Sequence, residues 1–234
     1  AEVLQARTST RPLVGASLDN IARRNFNLKL LGSVKFGGTP VSRLMPAAGL
    51  EKLADAGFQE IVINLGHLGS RIPEALGDGS AWGLEIAYSD EGPEPLETGG
   101  GITKALPLLG NDTFLVVNGD VWCDLDFAEI PDDLPGEDDA LLFLVPRPAW
   151  REKGDFSLLG GRVVESESPD LLYAGIALYH PRILDGAKVE KFSIVPRLRG
   201  SIAHGRVGGI LHPGEWDDVG TPERLSALQG KFGD

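Results

Sequence analysis

Short apolar runs alternate along this chain with stretches of helical pattern, and glycine and proline punctuate the joins. Four runs rich in apolar and β-branched residues predict strands: 60–65 (EIVINL), 84–88 (LEIAY), 114–120 (FLVVNGD) and 140–145 (ALLFLV). Helical patterns occupy 49–57 and 102–109 between them. Helices that connect buried strands are typical of βαβ units. The sequence therefore predicts an α/β fold with a mixed, mostly parallel sheet and helices on both faces.

The pattern changes after about residue 150. A hairpin is predicted over 156–166, and a strand over 171–179. A strand and loop follow at 206–220, and a helix is predicted over 221–229, where threonine and proline are typical of a helix start.

The chain therefore divides into two halves. Residues 1 to about 150 are expected to bind a nucleotide, and residues from about 151 to 234 to hold a second substrate. No linker composition separates the halves, so one domain over 1–234 is predicted.

Composition and charge narrow the class of protein. The 234 residues carry a net charge of −12, which disfavours a nucleic-acid partner. No apolar run approaches the roughly 20 residues that span a bilayer, and the start lacks a secretory pattern, so no membrane partner is expected. Cys123 is the only cysteine, which excludes a disulfide within the chain. We expect a cytoplasmic protein that is a monomer or a small homo-oligomer.

The segment around Asn118, Gly119 and Asp120 lies where a predicted buried strand ends. Ligands of open parallel sheets bind beyond the carboxyl ends of the strands. A carboxylate at this place is suited to Mg²⁺, which prefers one or two carboxylates plus phosphate oxygens of the substrate. The alternative is that Asp120 only begins a turn.

Three consecutive glycines, Gly99 to Gly101, precede the helical pattern at 102–109. Bare backbone lets a ligand approach closely, and free amides at a helix start favour anions. Glu97 and Thr98 are placed to hydrogen-bond a base or ribose. The alternative is a flexible surface loop.

A third candidate is the acidic pair Asp217 and Asp218, on a predicted loop before the last helix. A shared metal site needs a second carboxylate from elsewhere in the chain, and this pair could supply it. The alternative is a solvated acidic pair.

Together these segments resemble the sugar-1-phosphate nucleotidylyltransferase family. The motifs that carry the likeness are LETGGG (96–101), NGDVW (118–122) and WDDVGTPERL (216–225), supported by GFQEIVIN (57–64). The likeness spans about residues 37–229. It is greatest to the branch of N-acetylmuramate α-1-phosphate uridylyltransferases, which belong to bacterial cell-wall (peptidoglycan) recycling.

The resemblance implies a Rossmann-like nucleotidyltransferase fold and two substrates, a nucleoside triphosphate (UTP in that branch) and a sugar 1-phosphate. The sugar-phosphate oxygen attacks the α-phosphorus, and pyrophosphate leaves. It also implies roles for particular residues. Mg²⁺ would be bound by Asp120 and Asp218. The nucleotide would be bound by Glu97, Thr98, Gly99, Gly100, Asn118 and Gly119, and the sugar phosphate by Gly154, Asp155, Glu165 and Gly175.

The N-terminal stretch departs from the family pattern. The family has a glycine-rich loop around the triphosphate, but here Arg11 stands beside Pro12 and Leu13 without the loop glycines. Lys29 takes the place of the family's catalytic lysine, without its neighbouring proline. Three interpretations are open: a diverged phosphate loop, a relative that has lost activity, or a stretch whose sequence is not the native one.

Two other functions are compatible with these residues. One is a metal-dependent glycosyltransferase that consumes nucleotide sugars, and the other is a non-catalytic module that binds a sugar nucleotide. A nucleotidylyltransferase releases pyrophosphate from a triphosphate and a sugar phosphate, whereas a glycosyltransferase does not. A binding module would bind the nucleotide without turnover.

Overall fold

The computed structural model describes residues 28–32, 44–66, 69, 71–218, 224, 227 and 228, with only the backbone at 28–32, 44–48 and 71. The helices are α1 (Leu44–Asp55), α2 (Arg71–Leu76), α3 (Glu97–Leu109) and α4 (Val195–Ala203). The strands are β1 (Leu28–Gly32), β2 (Glu60–Leu65), β3 (Glu85–Asp90), β4 (Phe114–Asn118), β5 (Val121–Cys123), β6 (Ala140–Pro146), β7 (Ser157–Leu159), β8 (Arg162–Val164), β9 (Leu171–Tyr179), β10 (Val207–Leu211) and β11 (Trp216–Asp218).

Nine of the strands form one mixed sheet in the order β3-β2-β1-β4-β9-β6-β10-β8-β7. Strands β3, β2, β1 and β4 are parallel to one another, and β6 is parallel to β10. The long strand β9 lies antiparallel between β4 and β6. The predicted α/β fold is therefore confirmed, and so are the predicted strands and the hairpin of β7 and β8.

Helices cover both faces of the sheet because alternate residues of each strand point to opposite faces. On one face, Leu50 and Leu53 of α1 pack in a cluster with Leu115 and Val117 of β4. On the other face, residues of α3 and α4 share a cluster with the intervening residues of β4; it includes Phe114, Val116, Ile102, Ala105, Leu109, Leu198 and Ile202. None of the described helices is long and apolar enough to cross a membrane.

Two predictions about helices need correction or completion. Helix α3 begins at Glu97 rather than at residue 102, so the three glycines lie inside its first turns and not in a loop before it. The helix predicted over 221–229 is described at positions 224, 227 and 228 only, and all three are helical.

An ion-pair network ties the amino ends of β6 and β10 to the helices. Asp139, which directly precedes β6, is 3% exposed. Its carboxylate accepts hydrogen bonds from Arg182 Nε (2.9 Å), from Ser201 (2.7 Å) and from Arg206. Burial alone would raise the pKa of Asp139, but the hydrogen bonds from these three partners outweigh it and lower the pKa.

Candidate active site

A second, two-stranded sheet brings the two predicted metal ligands together. Asp120 lies two residues after the end of β4 and directly precedes β5. Strand β5 pairs antiparallel with β11, and in this register Asp218 lies opposite Val121, the neighbour of Asp120. Trp216 fixes the small sheet to the large one, because its indole Nε1 donates to the carbonyl oxygen of Ala174 in β9 at 2.9 Å.

The Asp120 carboxylate is affected both by burial and by the charge of Asp218. Burial raises the pKa of Asp120, and the negative charge of Asp218 raises it further. A cation that binds both carboxylates would stabilise their negative charges.

The donor set fits a hard divalent cation that takes its remaining ligands from a substrate. Within the part of the chain that the structure describes, no group of three or more histidine, cysteine, aspartate or glutamate side chains could hold a metal by itself. Asp120 and Asp218 offer two carboxylates, the number typical of Mg²⁺ sites that are completed by phosphate oxygens and water.

Asp218 also contacts an arginine, which in turn contacts a tryptophan. Neither residue was singled out from the sequence. Arg224 Nη1 lies 3.2 Å from Asp218 Oδ2, and the two side chains are 34% and 40% exposed. The guanidinium carbon of Arg224 lies 4.1 Å from the ring centroid of Trp150, which is half exposed. No local sequence signal identifies this contact, because it joins residues more than seventy positions apart.

Asn118 and Gly175 meet beside Asp120, where β4 ends against β9. A Cβ atom on Gly175 would lie 2.8 Å from Val121 Cγ2 and 2.9 Å from Asn118 Nδ2. Gly175 also has a φ of +76°, which favours glycine. The structure therefore brings together Asn118, Gly119, Asp120, Gly175 and Asp218.

Gly154 and Asp155 lie against the start of β9. The amide of Asp155 donates to the carbonyl of Leu171 at 2.7 Å, and its Oδ2 accepts from the amide of Tyr173 at 3.1 Å. Leu171 pairs with the last residue of β6, so these residues lie at the carboxyl edge of the parallel strands, where Asp120 also lies.

Glu165 is placed apart from the other sugar-phosphate candidates. It follows β8, and three strands separate β8 from β4 in the sheet. Its carboxylate pairs with Arg199 of α4 at 3.0 Å.

The glycine triplet is used for packing between chain segments, which corrects the expectation of free amides for an anion. The amides of Gly99 and Gly100 both donate to the carbonyl of Phe192, at 3.0 and 3.2 Å. A Cβ on Gly100 would overlap the carbonyl oxygen of Glu190, and one on Gly99 would overlap the Phe192 ring. The backbone of 190–192 thus crosses the first turns of α3 at a distance that only glycine permits.

Glu97 has a strained backbone conformation, which is a feature expected of a ligand-binding position. Its φ is +59°, and it is the only non-glycine residue with positive φ among those that the structure describes. This conformation is unfavourable for a side chain with a Cβ, and such strain concentrates at functional sites. Thr98 follows it and is half-buried.

A buried polar network, which the sequence analysis missed, holds the start of α3 to the ends of β2 and β3. Asn64 is 3% exposed, and its Nδ2 donates to the carbonyl of Gly101 at 3.1 Å and to Glu91 Oε1. Glu91 Oε2 accepts from the amide of Leu96 at 2.8 Å. The Glu91 carboxylate therefore fixes the residue that precedes Glu97.

The two basic candidates lie largely outside what can be described. Arg11 falls outside the described residues. The backbone of Lys29 lies in β1, between Val62 of β2 and Val116 of β4, and its side chain is not among those described.

Comparison with known proteins agrees with the family resemblance seen in the sequence. The profile of the family described as "Nucleotidyl transferase" matches residues 36–153, which include Asp120 and the glycine triplet. The N-acetylmuramate alpha-1-phosphate uridylyltransferase of Neisseria meningitidis serogroup B is 46% identical over 189 residues, 78% of this chain and 82% of that protein. The protein of the same name from Caulobacter vibrioides is 29% identical, over 78% of this chain and 81% of its own length.

Solved structures share the fold at lower identity. HddC from Yersinia pseudotuberculosis superposes with a TM-score of 0.71 at 21% identity, and the match covers 88% of this chain and 99% of HddC. A Bacillus anthracis protein described as a putative glucose-1-phosphate thymidylyltransferase superposes with a TM-score of 0.68 at 17% identity, over 89% of this chain and 95% of its own. These likenesses support the fold and no more.

Proposed function

Because the chain belongs to the nucleotidyl transferase family, we propose that it catalyses the reaction for which two of its relatives are named, uridylyl transfer to N-acetylmuramate 1-phosphate. A phosphate oxygen of the sugar 1-phosphate attacks the α-phosphorus of UTP. The bond from that phosphorus to the bridging oxygen of the β-phosphate breaks, and pyrophosphate leaves with the electron pair. The products are the UDP-sugar and pyrophosphate.

The convergence of Asp120 and Asp218 is the observation that carries this proposal. They would hold a divalent cation, proposed to be Mg²⁺, which neutralises phosphate charge in such transfers. The ladder of β5 and β11 holds the two carboxylates against the end of β4, and therefore at the edge where a parallel sheet binds ligands.

The remaining candidates divide between the two substrates by position. Glu97, Thr98, Asn118 and Gly119 would bind the nucleotide beside the ends of β2 and β4. The Gly154–Asp155 segment and Gly175 would bind the sugar phosphate across β9. The reaction needs no protein nucleophile, so these residues act by binding and aligning the two phosphates.

The test is pyrophosphate release by purified protein of confirmed mass, with Mg²⁺, a panel of nucleoside triphosphates and several sugar 1-phosphates. We expect release with UTP and N-acetylmuramate 1-phosphate. Asp120→Asn and Asp218→Asn should each lower kcat by about two powers of ten or more. Asp217→Asn is the matched control: it removes the same charge next to Asp218 in the same strand, and kcat should change by no more than about threefold.

Each other outcome has a defined meaning. Wild-type turnover in either aspartate variant refutes the metal assignment. Transfer of sugar from a nucleotide sugar without pyrophosphate release identifies a glycosyltransferase, and nucleotide binding without any turnover identifies a binding module. The family match begins at residue 36, after Arg11 and Lys29, so activity of this chain would also show that its N-terminal stretch is compatible with catalysis.

We further propose that the reaction takes place in the bacterial cytoplasm as part of cell-wall recycling, because UTP is a cytoplasmic substrate and N-acetylmuramate is a cell-wall sugar. Cell fractionation, with the activity expected in the soluble fraction, tests the location.

A further inference from the structure

Asp218 already has a cationic partner in this structure, although it is one of the two proposed metal ligands. Arg224 Nη1 lies 3.2 Å from Asp218 Oδ2. A guanidinium carries its charge at every pH that a protein experiences, so it cannot leave this carboxylate by losing a proton. A divalent cation that binds Asp218 must therefore compete with a permanent positive charge.

Trp150 gives the guanidinium a second point of attachment. The Arg224 guanidinium carbon lies 4.1 Å from the Trp150 ring centroid, well within the range of a cation–π contact. Trp150 follows β6 in the segment that leads to Gly154 and Asp155, and half of its surface is exposed. The contact with the ring does not depend on the carboxylate, so the guanidinium can remain on the ring when Asp218 turns to a metal.

We propose that Arg224 is a placeholder cation: it neutralises Asp218 while no metal is bound, a divalent cation displaces it, and Trp150 holds the displaced guanidinium. The inference rests on the proposed function, since it needs Asp218 to be a metal ligand. Displacement of Arg224 lowers the affinity of the free enzyme for the metal. The displaced guanidinium would stay on Trp150, in the segment that leads to Gly154 and Asp155, and a phosphate could replace the carboxylate as its partner.

The chain offers a matched control for Arg224. Arg151 also contacts the Trp150 ring, with its guanidinium carbon 5.8 Å from the centroid. Arg151→Gln therefore removes a guanidinium from the same ring and the same unit of charge from the chain, but leaves the pair of Arg224 and Asp218 in place.

The experiment is a titration of the full chain with Mn²⁺ alone, in which free Mn²⁺ is measured by electron paramagnetic resonance. Arg224→Gln should bind Mn²⁺ about two- to fivefold more tightly than wild type, as expected for removal of a partly exposed ion pair that competes with the metal. Arg151→Gln should bind like wild type. In a parallel titration with Mg²⁺, tryptophan emission should change in wild type, and most of this change should be lost in Trp150→Phe.

The outcomes separate this inference from the proposed function. Absent Mn²⁺ binding in wild type, or unchanged binding in Asp218→Asn, overturns the inference, because no metal then competes with Arg224 for Asp218 in the free chain. Binding that needs Asp218 but is equal in wild type and Arg224→Gln overturns the role of Arg224 alone. Equal tightening in Arg224→Gln and Arg151→Gln also overturns it, because a general charge effect would then be responsible. An emission change that persists in Trp150→Phe overturns the role of Trp150.

Discussion

Replacement of Gly100 by alanine tests the structural account of the glycine triplet. In an open helical position this change stabilises a protein, by up to about 1 kcal/mol, because alanine is the better helix former. At Gly100 the added Cβ would overlap the carbonyl oxygen of Glu190 and lie 3.0 Å from the carbonyl carbon of Glu190 and from Leu96 Cβ. The neighbouring backbone has to move away to make room.

The cost follows from what that movement disrupts. Overpacking of a filled site costs about 1–3 kcal/mol. The moving segment is also bound by the hydrogen bonds from the amides of Gly99 and Gly100 to Phe192, and each such bond contributes about 0.5–1.5 kcal/mol. After subtraction of the helix-propensity gain, Gly100→Ala should lower the free energy of unfolding by about 1–5 kcal/mol.

The measurement is urea unfolding followed by tryptophan fluorescence and circular dichroism, with Gly200→Ala as the control. Gly200 also lies in a helix, α4, but has no neighbouring atom within 4 Å of an added Cβ. Gly200→Ala should therefore match or exceed the stability of wild type. If the two variants are equally stable, the close crossing of 190–192 over α3 is wrong. The glycines would then lie in a flexible surface loop, the alternative that the sequence leaves open.

Three further predictions follow from other contacts. Asp139→Asn should lower the free energy of unfolding at pH 7 by about 1–3 kcal/mol, since it weakens buried charge-assisted hydrogen bonds. The lowered pKa of Asp139 means that its contribution is present above the ordinary carboxyl value of 3.8 and is lost as pH falls below it. The gap in urea stability between wild type and variant should therefore close in acid, and a pH-independent gap would contradict the ion-pair account. Trp216→Phe should lower the free energy of unfolding by about 0.5–1.5 kcal/mol, because the hydrogen bond to Ala174 is lost. It should also lower kcat, and an unchanged kcat would show that this bond does not position β11. Glu97→Gly should raise the free energy of unfolding by about 1 kcal/mol by relief of backbone strain yet raise the KM for UTP, and an unchanged KM would remove Glu97 from the nucleotide site.

The apolar pattern of the sequence predicts the strands that are buried on both faces. Strands β4 and β6 consist almost wholly of buried apolar residues, and such runs are visible without any alignment. Strand β1 was missed although it lies between β2 and β4, because its five residues (LKLLG) include a lysine and end on a glycine. Helix α4 was missed because Pro196 and Gly200 resemble loop punctuation, whereas Pro196 lies in its first turn, where proline is well tolerated.

The sequence predicts that Asp120 and Asp218 belong to the candidate site, but it does not predict the geometry that brings them together. Asp120 and Asp218 were identified from a local motif and a family resemblance. The strands that adjoin or contain them are too short for the sequence to predict which strand pairs with which. Strands β5 and β11 have three residues each, so the register that joins the two aspartates arises from tertiary packing. The contact of Arg224 with Trp150 has the same origin.

Three glycines of the candidate site allow segments of backbone to approach one another closely. A Cβ on Gly100 would meet the backbone of Glu190, and one on Gly154 would lie 2.7 Å from the carbonyl oxygens of Leu171 and Pro169. A Cβ on Gly175 would press on Asn118 and Val121, the residues that flank Gly119 and Asp120. Substitution at any of the three would move a segment that carries a proposed ligand-binding residue. Loss of activity at these glycines would therefore show that they shape the site, and would not by itself show that they touch a substrate.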